Sequence, residues 1–301
     1  KYFNIHAGGQ IGEKFSYYFR HRIIANGGTS NLFENTDFLH LTYKMNDNWS
    51  FRAGKDALAV GGFEYDAAPI DVFYNGIYWD NFYCFQFMTR AIYKTNDGNH
   101  SFMAEIGGSP YLNWLGMGGN AWKEGLMSYN LFWSGSFDHF KTLYSVNFFE
   151  YNRGSFMNYI ALGNKLEYDN WGAYLDLMHH AFDGNDILKN YGVVFRCSYN
   201  LNKNWNLFLK GSYEQNLSNY SNIFPLFGGL DCLVPQGHTY CIYGAGFEFR
   251  PTTCQDIRIH GFLAYNEDVD KTLPSNPVSV QGLVANVGLS WNMNFAKLIN
   301  R

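Results

Sequence analysis

Apolar and polar residues alternate at period two in this sequence, and the alternation persists over runs too long for the strands of an ordinary soluble sheet. In Trp205–Glu214, Trp205, Leu207, Leu209 and Tyr213 share one face, while Asn206, Lys210, Ser212 and Glu214 share the other. Trp49–Gly54 and Tyr191–Asn200 repeat the pattern. In Gln281–Phe295, Leu283, Ala285, Val287, Leu289, Trp291, Met293 and Phe295 line one side. Side chains of a strand point alternately to its two faces, so such runs predict strands with one apolar face. Several are long enough to cross a bilayer at a tilt, which takes about 9–11 residues.

Composition separates a membrane barrel from a soluble sandwich. Hydrophobic residues make up 47% of the 301 residues and aromatics 19%, yet charged residues only 16%, against about 25% in soluble domains. Mean hydropathy is nevertheless −0.27, as expected when every second residue is polar. No run approaches the roughly 18 apolar residues of a membrane helix. The fold class expected is all-β: a transmembrane antiparallel up-and-down barrel in the bacterial outer membrane, formed as a single domain over 1–301.

Strands are predicted near 1–9, 14–24, 36–46, 48–57, 82–94, 99–108, 126–135, 139–149, 156–168, 171–182, 190–201, 204–214, 238–249, 255–265 and 279–295. Single-chain bacterial barrels have even strand numbers. Sixteen is therefore expected, with a further strand upstream of Lys1 or unrecognised, and fourteen is the alternative. Short connections rich in Asn, Asp and Gly, such as Asn46-Asp47-Asn48 and Asn96-Asp97-Gly98, have tight-turn chemistry. They alternate with longer loops at 25–35, 58–81, 109–125, 215–237 and 266–278, the asymmetry of outer-membrane barrels. Trp49, Trp133, Trp171, Trp205 and Trp291 all fall at the short-turn end, as an interfacial aromatic girdle requires. Lys1 opens directly into a strand-like run with no signal peptide, so a processed or trimmed chain is expected. The five cysteines lack zinc spacing; Cys232 and Cys241 could pair across a loop.

The stretch Phe15–Asp80 resembles the phosphate-selective porin O/P family, particularly its Bacteroidota relatives. The resemblance lies in Gly12-Glu13-Lys14-Phe15-Ser16-Tyr17, Phe51-Arg52-Ala53-Gly54-Lys55-Asp56, Gly61-Gly62-Phe63-Glu64-Tyr65-Asp66 and Pro69-Ile70-Asp71. It covers about a fifth of the chain. It implies a sixteen-stranded barrel, a homotrimer, a preference for anions, and a loop 58–81 that folds inward and narrows the pore. Phe63, Glu64, Tyr65 and Asp66 would then lie in the constriction.

Placing the polar face of each strand inside puts Arg20, Arg22, Lys44, Arg52, Arg90, Lys94, Lys141, Lys165, Arg196, Lys210, Arg250 and Arg258 in the lumen. Opposing them are Asp56, Glu105, Glu167, Asp176, Glu214, Glu248 and Asp256. Cationic rings bias a pore toward anions. The pore-lining set taken from these is Arg20, Arg22, Lys44, Arg52, Arg90, Arg196, Lys210 and Arg258, and within it Arg20, Arg22, Lys44, Arg52 and Arg90 have the strongest claim because their strands neighbour the loop 58–81, although each could instead stiffen the wall by pairing with an acid. The net charge of −4 then places the remaining acids in loops, including Glu64, Asp66, Asp71, Asp80, Asp183, Asp186, Glu267, Asp268 and Asp270. Inward Tyr18, Tyr159, Tyr174 and Tyr240 could stack sugars or fill space. Lys55 falls on the lipid-facing parity unless a bulge at Gly54 turns it.

Other chemistry is weakly marked. His179 and His180 project to opposite faces and cannot share a metal. The acids around 183–186 and 267–270 lack calcium-loop spacing. His179 and Ser155 are not linked into a catalytic arrangement, and dispersed basic residues give no nucleic-acid patch. The reading is a passive diffusion channel for small hydrophilic, preferentially anionic solutes, in contact with outer-membrane lipid. It has no cofactor, no metal and no enzymatic step. A plugged barrel serving a larger outer-membrane assembly is the rival, with an extracellular apolar patch at Tyr111, Trp114 and Trp122 as its sign.

Overall fold

The computed structural model describes residues 2–24, 35–76, 84–110, 125–182, 188–217, 234, 237–251, 256–272 and 277–291. Fifteen strands follow one another: β1 (Tyr2–Ile11), β2 (Phe15–Ile24), β3 (Thr36–Lys44), β4 (Trp49–Ala57), β5 (Phe85–Lys94), β6 (His100–Gly108), β7 (Met127–Phe137), β8 (Phe140–Asn152), β9 (Ser155–Tyr168), β10 (Trp171–Phe182), β11 (Asn190–Asn200), β12 (Trp205–Asn216), β13 (His238–Phe249), β14 (Ile257–Asp270) and β15 (Val278–Trp291). Two single-turn helices, α1 (Phe63–Asp66) and α2 (Pro69–Val72), lie between β4 and β5.

Each strand pairs antiparallel with its neighbours in chain order, β1 through β15. This is the up-and-down order of a barrel wall. Among the described residues β15 is not paired with β1. The two run in the same direction, so a strand seated between them would run antiparallel to both. Both are exposed along almost their whole described length.

The alternation sets the two faces. Tyr17, Leu39, Leu41, Phe51, Leu131, Leu175, Phe195, Leu209 and Leu263 are exposed on the outer surface, where lipid would cover them. Arg90, Glu105, Asn130, Asn147, Asp176, Lys210 and Glu214 are buried inside. Polar groups are therefore in the interior and apolar groups outside, the reverse of a soluble core. At the short-turn end Trp49 packs on Tyr93 (ring centroids 5.0 Å apart), Trp171 on Tyr199 (4.5 Å) and Trp205 on Phe249 (4.6 Å). These pairs form the expected girdle.

Two readings are corrected. β14 continues to Asp270, so Glu267, Asp268 and Asp270 are strand residues and not loop acids. Pairing with β15 continues to Asp270↔Val278, which the scarcity of apolar residues after Tyr265 had hidden. β8 and β9 are joined at the long-loop end by a tight turn through Gly154, whose φ of +78° suits glycine. The acids Asp80, Asp183 and Asp186, the residues Tyr111, Trp114 and Trp122, and a Cys232–Cys241 pair all involve positions outside the described residues.

Candidate functional site

Residues 58–76, which follow β4, cross the interior of the curled sheet and bond to its far wall. Ala59 N–H donates to Glu105 on β6 (3.1 Å) and Gly61 N–H to Ser145 Oγ on β8 (2.8 Å). Phe63 and Glu64 N–H donate to the two oxygens of Asp176 on β10 (2.9 and 2.8 Å). Further along, Arg196 on β11 donates to the Asp71 carbonyl (3.0 Å), and Arg258 on β14 to the Ile70 carbonyl (2.8 Å) and the Asp71 carboxylate. Lys210 on β12 donates to the carbonyls of Val72 (3.0 Å) and Tyr74. Wall side chains thus satisfy backbone groups that a buried loop would otherwise leave unpaired.

Close approach requires glycine at two places. Gly62 has φ +100°, where a Cβ would be strained. A Cβ on Gly163 of β9 would stand 2.8 Å from Gly62 Cα. The end of the segment is wedged by Phe73, a non-glycine residue at φ 65°, ψ −66°, with Tyr74 N–H bonded to Val72 O at 2.9 Å. That is a strained γ-turn. Phe73 stacks on Phe208 (4.7 Å, 13°), and Tyr74 belongs to an apolar cluster with Phe208, Ile242 and Ala264. Packing energy from these contacts offsets the backbone strain.

Most of the basic residues fall into four inner groups and a rim. Arg20 and Arg22 on β2 share one carboxylate, Asp37 of β3, through Arg20 Nη2 (2.8 Å) and Arg22 Nε (2.7 Å). Arg52 binds Asp56 at 2.7 Å, and Arg90 lies between Asp56 (3.7 Å) and Glu105 (2.5 Å). Arg196 and Arg258 both contact Glu248 (3.1 and 3.2 Å). Lys210 meets Glu64 of α1 at 2.5 Å, both almost fully buried. Lys44 sits instead at the exposed short-turn end, paired with Asp47 (2.7 Å). Lys94 and Asp256 are likewise exposed at that end, so these three do not join the central groups.

The four residues expected in the constriction, Phe63, Glu64, Tyr65 and Asp66, divide by role. Glu64 is buried against Lys210, and Gly76 N–H donates to it at 3.2 Å. Phe63 faces Tyr174 (6.3 Å) with Lys165 5.7 Å from its ring. Tyr65 OH donates to the Leu58 carbonyl at 3.2 Å. Asp66 lines two interior cavities. Burial pushes its carboxyl above the usual range, and the Lys165 charge pulls it back down. At the short-turn end the reverse holds: hydrogen bonds from Lys44 and from Thr95 hold Asp47 and Asp97 below the usual range.

Sequence parity missed Asp37. The register between β2 and β3 slips between Arg20 and His21: Arg20 pairs with Phe38 and His21 with Thr36. Asp37 is the extra residue of a bulge, which redirects it to the arginines. A lone acid on an otherwise apolar parity was the available signal. Lys55 is also buried, at 5% exposure. The β3–β4 pairing runs through Lys55 without a slip, so no bulge at Gly54 accounts for it. Among the described residues no cluster could hold a metal ion.

The fold is shared with solved outer-membrane proteins. OmpT of Vibrio cholerae superposes with TM-score 0.59 at 11% identity, covering 96% of this chain and 88% of its own; a trimer form of OmpT is also similar. The outer membrane channel DcaP of Acinetobacter baumannii gives 0.58 at 12% identity, covering 95% and 83%. An anion-selective porin from Comamonas acidovorans gives 0.57 at 11%, covering 96% and 86%. No curated protein matches the chain in sequence. The model of the family phosphate-selective porin O and P matches residues 1–223. An interior of paired polar groups, a segment laid across it and that match over most of the sequence agree: the chain belongs to the phosphate-selective porin O and P family, porins of the bacterial outer membrane.

Proposed function

We propose that the chain is a passive diffusion channel that favours small anions, that residues 58–76 form its constriction, and that it works as a homotrimer without any chemical step. The observation that carries the anion preference is the Arg20–Arg22–Asp37 group. Two guanidiniums meet one carboxylate there, and their side chains stay 18% and 35% exposed. Elsewhere the segment brings its own acids to the wall: Glu64 to Lys210 and Asp71 to Arg258. Those cations anchor the segment, and their charge is largely offset. The bonds of the segment fall on β6, β8, β10, β11, β12 and β14, away from β2. Solute therefore passes along the β15–β1–β3 side, beside Arg20 and Arg22. The anion-selective porin of Comamonas acidovorans and the trimer form of OmpT support the selectivity and the assembly by analogy of fold.

The test is conductance in a planar bilayer under a salt gradient. Steady open channels with a reversal potential on the anion side are expected. Arg22→Gln should move that potential toward zero. A folded barrel that stays silent would favour the plugged-barrel alternative.

A further inference from the structure

One of the two cavities that Asp66 lines, of about 450 Å³, lies between the segment and the wall of β9–β11 and reaches the short-turn rim at the exposed Asp169 and Asn200. We propose that this cavity binds a neutral polyhydroxyl solute, with a single hexose ring as its unit, and that it does so by holding two hydroxyls on Asp66 beside the rings of Phe63 and Tyr174. The site lies apart from the Arg20–Arg22–Asp37 group. It adds a solute class to the channel proposed above and does not rest on the anion preference.

Three observations carry it. The first is how the space arises. Gly172 of β10 and Ser198 of β11 are register partners, and both are small. Ala67 lines the cavity from the segment. The long charged side chains of the neighbouring strands are drawn together: Glu167 holds Lys165 (2.6 Å) and Lys141 of β8 (2.5 Å). Room for a small molecule therefore remains on the short-turn side of α1.

The second observation is the charge of the lining. Its two cations already have partners: Arg196 meets Glu248 (3.1 Å) and the Asp71 carbonyl (3.0 Å), and Lys165 meets Glu167. Asp66, Glu167 and Asp169 line the same cavity. An anion entering it faces three carboxylates, and a cation faces Lys165 and Arg196. Like charges brought together are costly for either. A neutral solute avoids both penalties.

The third observation is the set of hydrogen-bonding groups left over. The Lys165 charge acts on Asp66, but among the described residues no hydrogen bond or ion pair reaches the Asp66 carboxylate. Its two oxygens can accept from two neighbouring hydroxyls. The Tyr174 hydroxyl likewise has no hydrogen-bond partner among the described residues. Asn200 accepts from Asn206 on its carbonyl (2.8 Å) and keeps its own amide N–H groups. Ser198 donates to the Gly172 carbonyl (3.2 Å) and keeps its lone pairs. Beside these groups the Phe63 and Tyr174 rings lie 6.3 Å apart, inclined by 32°. Acceptors, donors and rings in one small volume match a hydroxylated ring, whose hydroxyls bond while its C–H face covers an aromatic.

The experiment uses the full folded chain in a detergent without a sugar head group. Saturation-transfer NMR measures binding of D-glucose, open-chain sorbitol, acetate and methylammonium, and needs no open pore. Glucose should receive saturation on its ring protons and outcompete the other three. Asp66→Ala should raise its half-saturating concentration about tenfold, and Tyr174→Phe, which keeps the ring, about threefold. Lys203→Gln at an exposed turn should leave it unchanged. No transfer to glucose, binding of sorbitol as tight as that of glucose, or tighter acetate or methylammonium binding overturns the inference. Wild-type glucose affinity in Asp66→Ala overturns it as well. The same preparation is then placed in a planar bilayer. A silent bilayer from a chain that binds glucose would overturn the channel reading and leave the site standing. Open anion-selective channels from a chain that does not bind glucose would overturn the site alone.

Discussion

At the scale of single residues, Lys210 is the anchor of the cross-lumen segment. It binds Glu64 and two loop carbonyls from a position almost without solvent. Removing one partner of a buried ion pair costs more than the pair contributes, because the other charge is stranded, by about 3–5 kcal/mol. Lys210→Met should lower the thermal midpoint of the detergent-solubilised barrel and make single-channel current noisy. Glu64→Gln together with Lys210→Met should recover part of the loss. Recovery would be absent if the pair contributed nothing to seating the segment. Asp66 gives a pH signature. Its carboxyl is held above the usual value by burial, so as pH falls its negative charge is lost earlier than that of an ordinary carboxylate. Anion preference should therefore rise on acidification, beginning above the ordinary aspartate value of about 4. Asp66→Asn should show the acid-side reversal potential already at neutral pH and a smaller change with pH.

At the scale of elements, much was legible, because a period of two declares itself in each strand without reference to any other. The starts of β4, β10 and β12 at Trp49, Trp171 and Trp205 follow from turn chemistry plus a girdle residue. Asp37 was not legible: a one-residue slip between β2 and β3 reverses the parity on which the inward assignment depends. The partners of the cross-lumen segment were hidden for another reason. Nothing near Gly61 or Asp71 specifies Ser145 or Arg258; those meetings follow from the register of many successive pairings. The inward cations were recognised as residues, but their job as anchors came only from the segment laid against them. Contact between β9 and that segment gives a test at this scale. Gly163→Val would put its first side-chain carbon 2.8 Å from Gly62 Cα. The segment should lift from the wall and unitary conductance should change markedly, while strand content by circular dichroism stays the same. Unaltered conductance would mean the segment does not limit the current.

At the scale of the whole molecule, the outer face carries the apolar area and the inner face the hydrogen bonds, so the lipid and the segment hold the barrel from opposite sides. The segment is an inner brace tied to strands from β6 to β14. Its ties have a temporal consequence. Ala59 waits for a residue 46 positions later, and Ile70 for Arg258, 188 positions later. Contacts that distant in sequence form late, because closing so long a loop precedes any gain from it. Until the C-terminal strands have joined the wall, the carbonyls of Ile70, Val72 and Tyr74 lack their wall donors Arg258 and Lys210. The nascent barrel therefore stays wide and hydrated, and it narrows only when its last strands arrive. The final bore is a product of the end of assembly, and a chain stalled before β14 would leave a leak rather than a filter.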